Sequence, residues 1–168
     1  MTDVEINIRT YRLTDDDRII EITKRAWPEV TIWKRIEDQY GPRGGRPWWY
    51  YKITPLLNFA RNNPAQFFVA ERERKAVGYA MYALDPQTKI GTVLDNAVDP
   101  DCRGFGIGSL LHRRVLRSLQ EAGMEIARVE TGVHQTAAQR LYEKHGFREV
   151  FREIIYLRDL SEPIEPST

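Results

Sequence analysis

The residues best suited to chemistry lie in one stretch, where Val98 is followed by Asp-Pro-Asp-Cys and then by Arg103-Gly104-Phe105-Gly106-Ile107-Gly108-Ser109. Glycines at 104, 106 and 108 strip side chains from the start of a predicted helix, whose first N–H groups have no partner within the helix. Those donors, the positive end of the helix dipole and the guanidinium of Arg103 together make an anion site. A pyrophosphate suits it, because its charged oxygens need several donors at close range and only a bare backbone approaches that near. A P-loop would need Gly-Lys-Ser/Thr after four intervening residues, and no lysine stands here. A dinucleotide fingerprint needs Gly-x-Gly-x-x-Gly near the start of a βαβ unit. Here the third glycine falls one residue early, after three strands that read as antiparallel. A tight turn whose glycines serve packing alone remains open on spacing.

The other reactive types are sparse. Cys102 is the single cysteine, so the chain has no internal disulfide and no multi-cysteine metal site. It lies inside the glycine loop, and nothing in the sequence brings His112, His134 or His145 beside it, so it reads as an incidental loop thiol. The three histidines have no metal-ligand spacing, and no metal is expected.

Local patterns predict the elements that hold this loop. Residues 4–11 alternate as a half-buried strand. Thr14 and the aspartates behind it read as a helix start, with Ile19, Ile20, Ile22 and Ala26 as the buried stripe. A second helix is predicted over 31–39, then a turn-rich loop over 41–47. A helix opening on Trp48, Trp49, Tyr50 and Tyr51 runs to about Asn62. Strands over 66–71, 76–84 and 90–98, joined by short polar links, form an antiparallel meander. Over 106–122 the spacing predicts a long amphipathic helix with Ile107, Leu110, Leu111, Val115 and Leu119 inside and Arg113, Arg114 and Arg117 mostly outside. A strand over 126–131 follows, then a helix over 136–145 with Thr136 and Gln139 at capping-box spacing and Gly146 as its stop. A final strand pair is expected over 147–153 and 154–158.

Bulk properties narrow the class. The 168 residues suit one domain, here residues 1–160, with a frayed tail over 161–168. A net charge of +1 gives no reason to expect nucleic acid or a membrane surface as partner. No apolar run approaches the roughly 18 residues of a membrane span, and no signal segment opens the chain, so a cytoplasmic placement is expected.

Two motifs together carry a family resemblance. Arg103, Gly106 and Gly108 fill the pattern Arg/Gln-x-x-Gly-x-Gly/Ala between a central strand and a long helix, behind Val98-Asp99-Pro100. Downstream, Ala138-Gln-Arg-Leu141-Tyr142-Glu-Lys-His-Gly146-Phe147 matches a second motif. In both motifs, and in the order of elements along nearly the whole chain, the sequence resembles the GNAT superfamily of N-acetyltransferases. The resemblance implies an α/β (α+β) fold with a central mixed, mostly antiparallel sheet of about six to seven strands, flanked by helices on both faces. It implies an enzyme that moves the acetyl group of acetyl-CoA directly to a primary amine of a small molecule or peptide. A catalytically silent acyl-CoA-binding sensor or docking domain is the alternative.

The same resemblance assigns roles. Arg103 to Ser109 hold the pyrophosphate, while Asn96, Ala97 and Val98 at the strand end, with Gln135, Ala138 and Tyr142, meet the pantetheine and thioester. Gln135 departs from the usual asparagine, keeping the amide on a longer arm. Tyr142 is the implied general acid toward the departing thiolate, and the Val98 N–H the implied oxyanion donor. A phenol (pKa about 10) is less acidic than a thiol (about 8.5), so Tyr142 donates a hydrogen bond first and its proton late. For the general base, Asp95 and Glu130 are carboxylates in apolar runs where burial would raise a pKa; a salt bridge or a solvated strand end would disqualify either. The acceptor side of relatives is shaped by the N-terminal helices, which here carry Trp27, Trp33, Trp48 and Trp49, and Trp27, Trp48 and Trp49 are the candidate acceptor residues. Strand edges at the C-terminus could pair two copies into a homodimer.

Overall fold

Phe67 to Ala70 show how this chain builds a sheet with two covered faces. All four residues are buried, alternate side chains entering two separate cores. Phe67 and Val69 join Ile19, Ile22, Leu56 and Tyr79 on one side. Phe68 and Ala70 join Ile107, Leu111, Val115 and Leu119 on the other. A strand buried on both faces reads as a continuous apolar run, and this one does.

The computed structural model describes residues 5–164. The elements in order are β1 (Asn7–Thr10), α1 (Asp16–Ala26), α2 (Ile32–Tyr40), α3 (Trp48–Asn62), β2 (Phe67–Arg72), β3 (Lys75–Asp85), β4 (Ile90–Val98), α4 (Ile107–Glu121), β5 (Ile126–Val129) and α5 (Thr136–Lys144). The sheet order is β1-β2-β3-β4-β5, antiparallel except for the β4–β5 pair, which is parallel. A parallel pair needs a crossover, and α4 supplies it. Helices α1 and α3 cover one face and α4 the other. Each fully buried Ile, Leu or Val of these stripes contributes about 1.5–3 kcal/mol through apolar burial. The fit of α4 is close enough that a Cβ on Gly91 would lie 2.4 Å from Leu119 Cδ2, so β4 tolerates no side chain there.

Several expected features are altered by local chemistry. The first strand starts at Asn7, and its expected first residue, Val4, lies outside the described residues, as do 165–168 of the expected tail. The start of α1 is held by Asp15 rather than Thr14: its carboxylate accepts the Arg12 N–H at 2.8 Å and pairs with Arg9. Thr31 does cap α2, accepting from the Trp33 N–H at 3.3 Å. The Thr136–Gln139 capping box does not form, because Thr136 is already helical and the Gln139 amide donates to the carbonyls of Gly132 and Val133. Gly146 stops α5 as expected: its N–H bonds Glu143 O at 3.0 Å and the Phe147 N–H bonds Tyr142 O at 3.1 Å, the Schellman pattern.

On α4, Leu110 is only half-buried, while His112 and Ser118 are buried. Among the described residues the sheet has five strands rather than six to seven. The expected strands over 147–153 and 154–158 are absent: this segment is irregular, with Val150, Phe151, Ile154 and Tyr156 exposed. Residues 150–157 join neither core, so no burial holds them in register against an edge strand.

Candidate active site

The centre of the molecule's chemistry is the C-terminal end of β4. Two irregularities open it. The β3–β4 register steps from Ala80↔Asn96 to Tyr82↔Val93, so β4 carries one extra residue, a bulge at Leu94 and Asp95. On its other side, pairing with β5 ends at Val93↔Val129, and residues 94–98 have no partner there. The Asp99 N–H donates to Val77 O at 2.9 Å, toward β3. Alternation of the backbone therefore aims the N–H groups of Val98 and Asn96 to the opposite side, into the opening left by β5.

Beyond Val98 the chain turns sharply through a 3-10 turn, Pro100–Cys102, into the glycine loop. Asp99 fixes this turn. It is 2% exposed, accepts the Asp101 N–H, and pairs with Arg18 and Arg25 of α1. Burial works to raise its pKa, yet the Asp101 N–H and the two guanidiniums bring it below the ordinary carboxylate value. An ion pair this buried costs about 3–5 kcal/mol to break by removing one partner. Gly104 and Gly106 then both take left-handed backbone, φ +86° and +75°. Gly106 caps α4, whose first intrahelical acceptor is Gly106 O, bonded by the Leu110 N–H at 3.0 Å. The N–H groups of Ile107, Gly108 and Ser109 are thus left as open donors. Arg103, Gly104, Phe105 and Gly106 are exposed, and no side chain stands within 4 Å of where a Cβ would sit on either glycine. The loop is an open cradle for an anion. Phe105 is 59% exposed and lies against the Arg72 guanidinium.

Helix α5 closes the third side. Leu141 lies beside Gly108, and Tyr142 reaches the bulge, where its hydroxyl receives a hydrogen bond from Asn96 Nδ2 at 3.4 Å. Tyr142 is 7% exposed. Burial pushes its pKa above the usual phenol value, against the pull of the Asn96 donor, and the negative charge of Asp95 adds to the rise. Because Asn96 occupies an acceptor site on the phenol oxygen, the hydroxyl hydrogen is left to point elsewhere. A small cleft next to this group is lined by Asn96, Ala97, Val98, Gly108, Leu111 and His112, with Tyr79 and Ala80.

Other expected residues fall differently. Asp95 sits at the bulge, but its Oδ1 is 2.6 Å from Lys52 Nζ. Glu130 lies one residue past β5, is mostly exposed and pairs with Arg128. Each carboxylate is thus held in an ion pair, Asp95 partly buried and Glu130 mostly exposed. Gln135 has both ends of its amide engaged, Nε2 with Val30 O at 3.3 Å and Oε1 with the Thr131 hydroxyl at 3.0 Å. It ties α5 to the α1–α2 connection. Ala138 is half-buried on α5.

The tryptophans are also committed. Trp48 is buried, Trp27 gives its indole N–H to Tyr79 and its ring face to Lys52, and Lys24 covers Trp49. Trp27 and Trp49 are partly buried and pack against the core formed by α1 and α3. Cys102 is half-buried against the α4-side core. Among the described residues no group of three or more His, Cys, Asp or Glu could hold a metal, and no helix is long and apolar enough to cross a membrane.

One group was missed by pattern. His112 is 1% exposed on the inner face of α4, its ring 5.2 Å from Tyr142 and 5.2 Å from His145. Burial, and then the charge of His145, lower its pKa to about 4, so it is neutral at physiological pH. The helical spacing Gly108, His112, Val115, Leu119 would have placed it on that face.

Comparison with known proteins agrees with this geometry. Residues 18–147 match the model of the Acetyltransferase (GNAT) family. An N-alpha-acetyltransferase of Sulfurisphaera tokodaii is 30% identical over 157 residues, 87% of this chain and 82% of that protein. A mycothiol acetyltransferase of Thermobispora bispora is 30% identical over 162 residues, 91% of this chain, which spans only 50% of that longer protein. Among solved structures, the PaiA N-acetyltransferase of Thermoplasma acidophilum in complex with coenzyme A superposes with a TM-score of 0.71 at 18% identity, over 86% of this chain and 90% of that one.

Proposed function

The chain belongs to the GNAT family of acetyltransferases and is an acetyl-CoA-dependent enzyme; on that premise we propose how its residues carry the transfer and which amine they favour. The pyrophosphate of acetyl-CoA lies on the N–H groups of residues 107–109, with Arg103 beside it. The pantetheine runs along the opening between β4 and β5, which brings the thioester to Val98 and Tyr142. The Val98 N–H stabilises the oxyanion that forms as the amine attacks, and Tyr142 donates to the sulfur as charge builds there. The observation that carries this reading is the Tyr142 hydroxyl held by Asn96 at the point where β5 leaves β4.

The acceptor follows from the protons that must be lost. The amine attacks only when neutral, and the two candidate carboxylates, Asp95 and Glu130, are each paired with a cation. Two protons leave the nitrogen to water in the open cleft, one before attack and one from the tetrahedral adduct as the C–S bond breaks. Such a site favours an amine that is partly neutral unaided. An α-amine, with a pKa of about 7.7–8.0, is roughly a quarter to two-fifths neutral at pH 7.5, whereas a lysine side chain, at about 10.4, is neutral to the extent of roughly 0.1%. A peptide α-amine is the favoured acceptor, in keeping with the relative named an N-alpha-acetyltransferase.

The test is a panel of peptides with free or blocked N-termini, with lysine peptides and small amines, assayed for CoA release and for the acetylated product's mass. The expected result is a kcat/KM at least about tenfold higher for free α-amines at pH 7.5. A preference for ε-amines would overturn the acceptor reading. Binding of acetyl-CoA without transfer to any amine would indicate a silent acyl-CoA-binding domain.

A further inference from the structure

Tyr142 can act as acid once, and then it must recover its proton. When its O–H bond breaks and an S–H bond forms on departing CoA, a phenolate remains on a side chain only 7% exposed. Burial makes that phenolate costly, so a multiple-turnover enzyme needs a route by which a proton reaches it.

Three side chains are graded from the buried acid to the surface. The His112 ring lies 5.2 Å from the Tyr142 ring, and the half-buried His145 ring lies 5.2 Å from His112. The Nε2 of His145 is 3.2 Å from the Ser109 hydroxyl, at the open start of α4. Phe147 packs against both His112 and Tyr142. The Nε2 of His112 is buried and has no hydrogen-bond partner among the described residues, although His112 lines the cleft together with Asn96 and Val98. A buried polar atom left unpaired costs about 1–3 kcal/mol, and a core position on α4 would be served better by leucine.

We propose that His112 and His145 form a proton path that reloads Tyr142 after each acetyl transfer. The inference rests on Tyr142 being the general acid. A neutral imidazole gives a proton from one ring nitrogen and takes one at the other. The phenolate takes a proton from His112, directly or across one water in the cleft. His112 takes one from the His145 side, and His145 recovers its own from solvent. One proton enters per turnover and neither imidazole changes its net charge. The charged groups around the path are Asp95 on the Tyr142 side and Arg113 and Lys144 beside His145. Both histidines act through Tyr142 and need not touch substrate.

The test is stopped-flow CoA release by His112→Ala in full-length protein. Tyr142 starts protonated, so the first turnover should be slowed far less than the later ones, the lost packing of His112 on the Tyr142 ring touching both alike. Later turnovers should be slower by about tenfold or more, giving a burst of one CoA per active site. Added imidazole should restore the later turnovers without changing the thermal midpoint. Should His112→Ala fail to fold, His145→Ala at the half-exposed end of α5 decides by the same criterion. A first turnover slowed as much as the later ones, or an unchanged steady state, would overturn the path. If Tyr142→Phe leaves kcat unchanged, the acid assignment fails instead, and the two failures are told apart.

Discussion

Replacing Tyr142 by phenylalanine is expected to lower kcat by about 10²–10³-fold while the KM for acetyl-CoA changes by less than about threefold. The phenol ring fills the space between His112 and Phe147, and phenylalanine fills it equally well. The one group lost is the hydroxyl, whose sole described partner is Asn96 at 3.4 Å. An interaction made as charge develops on sulfur, and absent from the bound ground state, appears in kcat and not in KM. The raised pKa of Tyr142 keeps the hydroxyl protonated at neutral pH, so the wild-type enzyme meets each substrate with its acid loaded. Steady-state kinetics with a good peptide acceptor checks this, and an unchanged kcat would remove Tyr142 from the chemistry.

Gly106→Val is expected to weaken CoA binding by at least about 100-fold. Two effects add. Gly106 has φ +75°, where a side chain costs roughly 1–2 kcal/mol and a β-branched one more. That strain is relieved only by moving the loop and disturbing the N–H groups of residues 107–109. In addition, the new Cβ would project into the open space in front of the helix N-terminus, which the phosphates need. Since no protein atom lies within 4 Å of that position, the fold itself meets no clash. The thermal midpoint should therefore fall by only a few degrees while calorimetric titration with CoA loses its signal. Wild-type affinity in the variant would place the pyrophosphate elsewhere.

Much of this molecule was readable from residues alone, and the reasons are local. The run from Ile90 to Val98, the glycines at 104, 106 and 108, and the apolar stripe of α4 are signals within one element, and the structure places them as the pattern predicts. What escaped depends on neighbours. The bulge at Leu94 and Asp95 exists only in register with β3, and no property of β4 alone announces it. The parting of β4 from β5 after Val93 is likewise a property of a pair. Asp95 was legible as a carboxylate in an apolar run, but Lys52, 43 residues distant in the chain, decides that it is an ion pair. Gln135 kept its amide, and the carbonyl of Val30 claimed it.

His112 is the instructive miss. Its helical spacing was visible, but a histidine on an apolar stripe is ordinarily a satisfied core residue. Only contact with Tyr142 on one side and His145 on the other gives it a chemical setting. The tail over 147–158 shows the reverse case, where strand-forming residues find no ladder.

The most direct measurement is a crystal structure of the protein with CoA bound, read for two distances. The pyrophosphate oxygens are expected within hydrogen-bonding distance of the N–H groups of residues 107–109, and the CoA sulfur within hydrogen-bonding reach of the Tyr142 hydroxyl. A sulfur far from Tyr142, or phosphates seated away from the glycine loop, would contradict that placement.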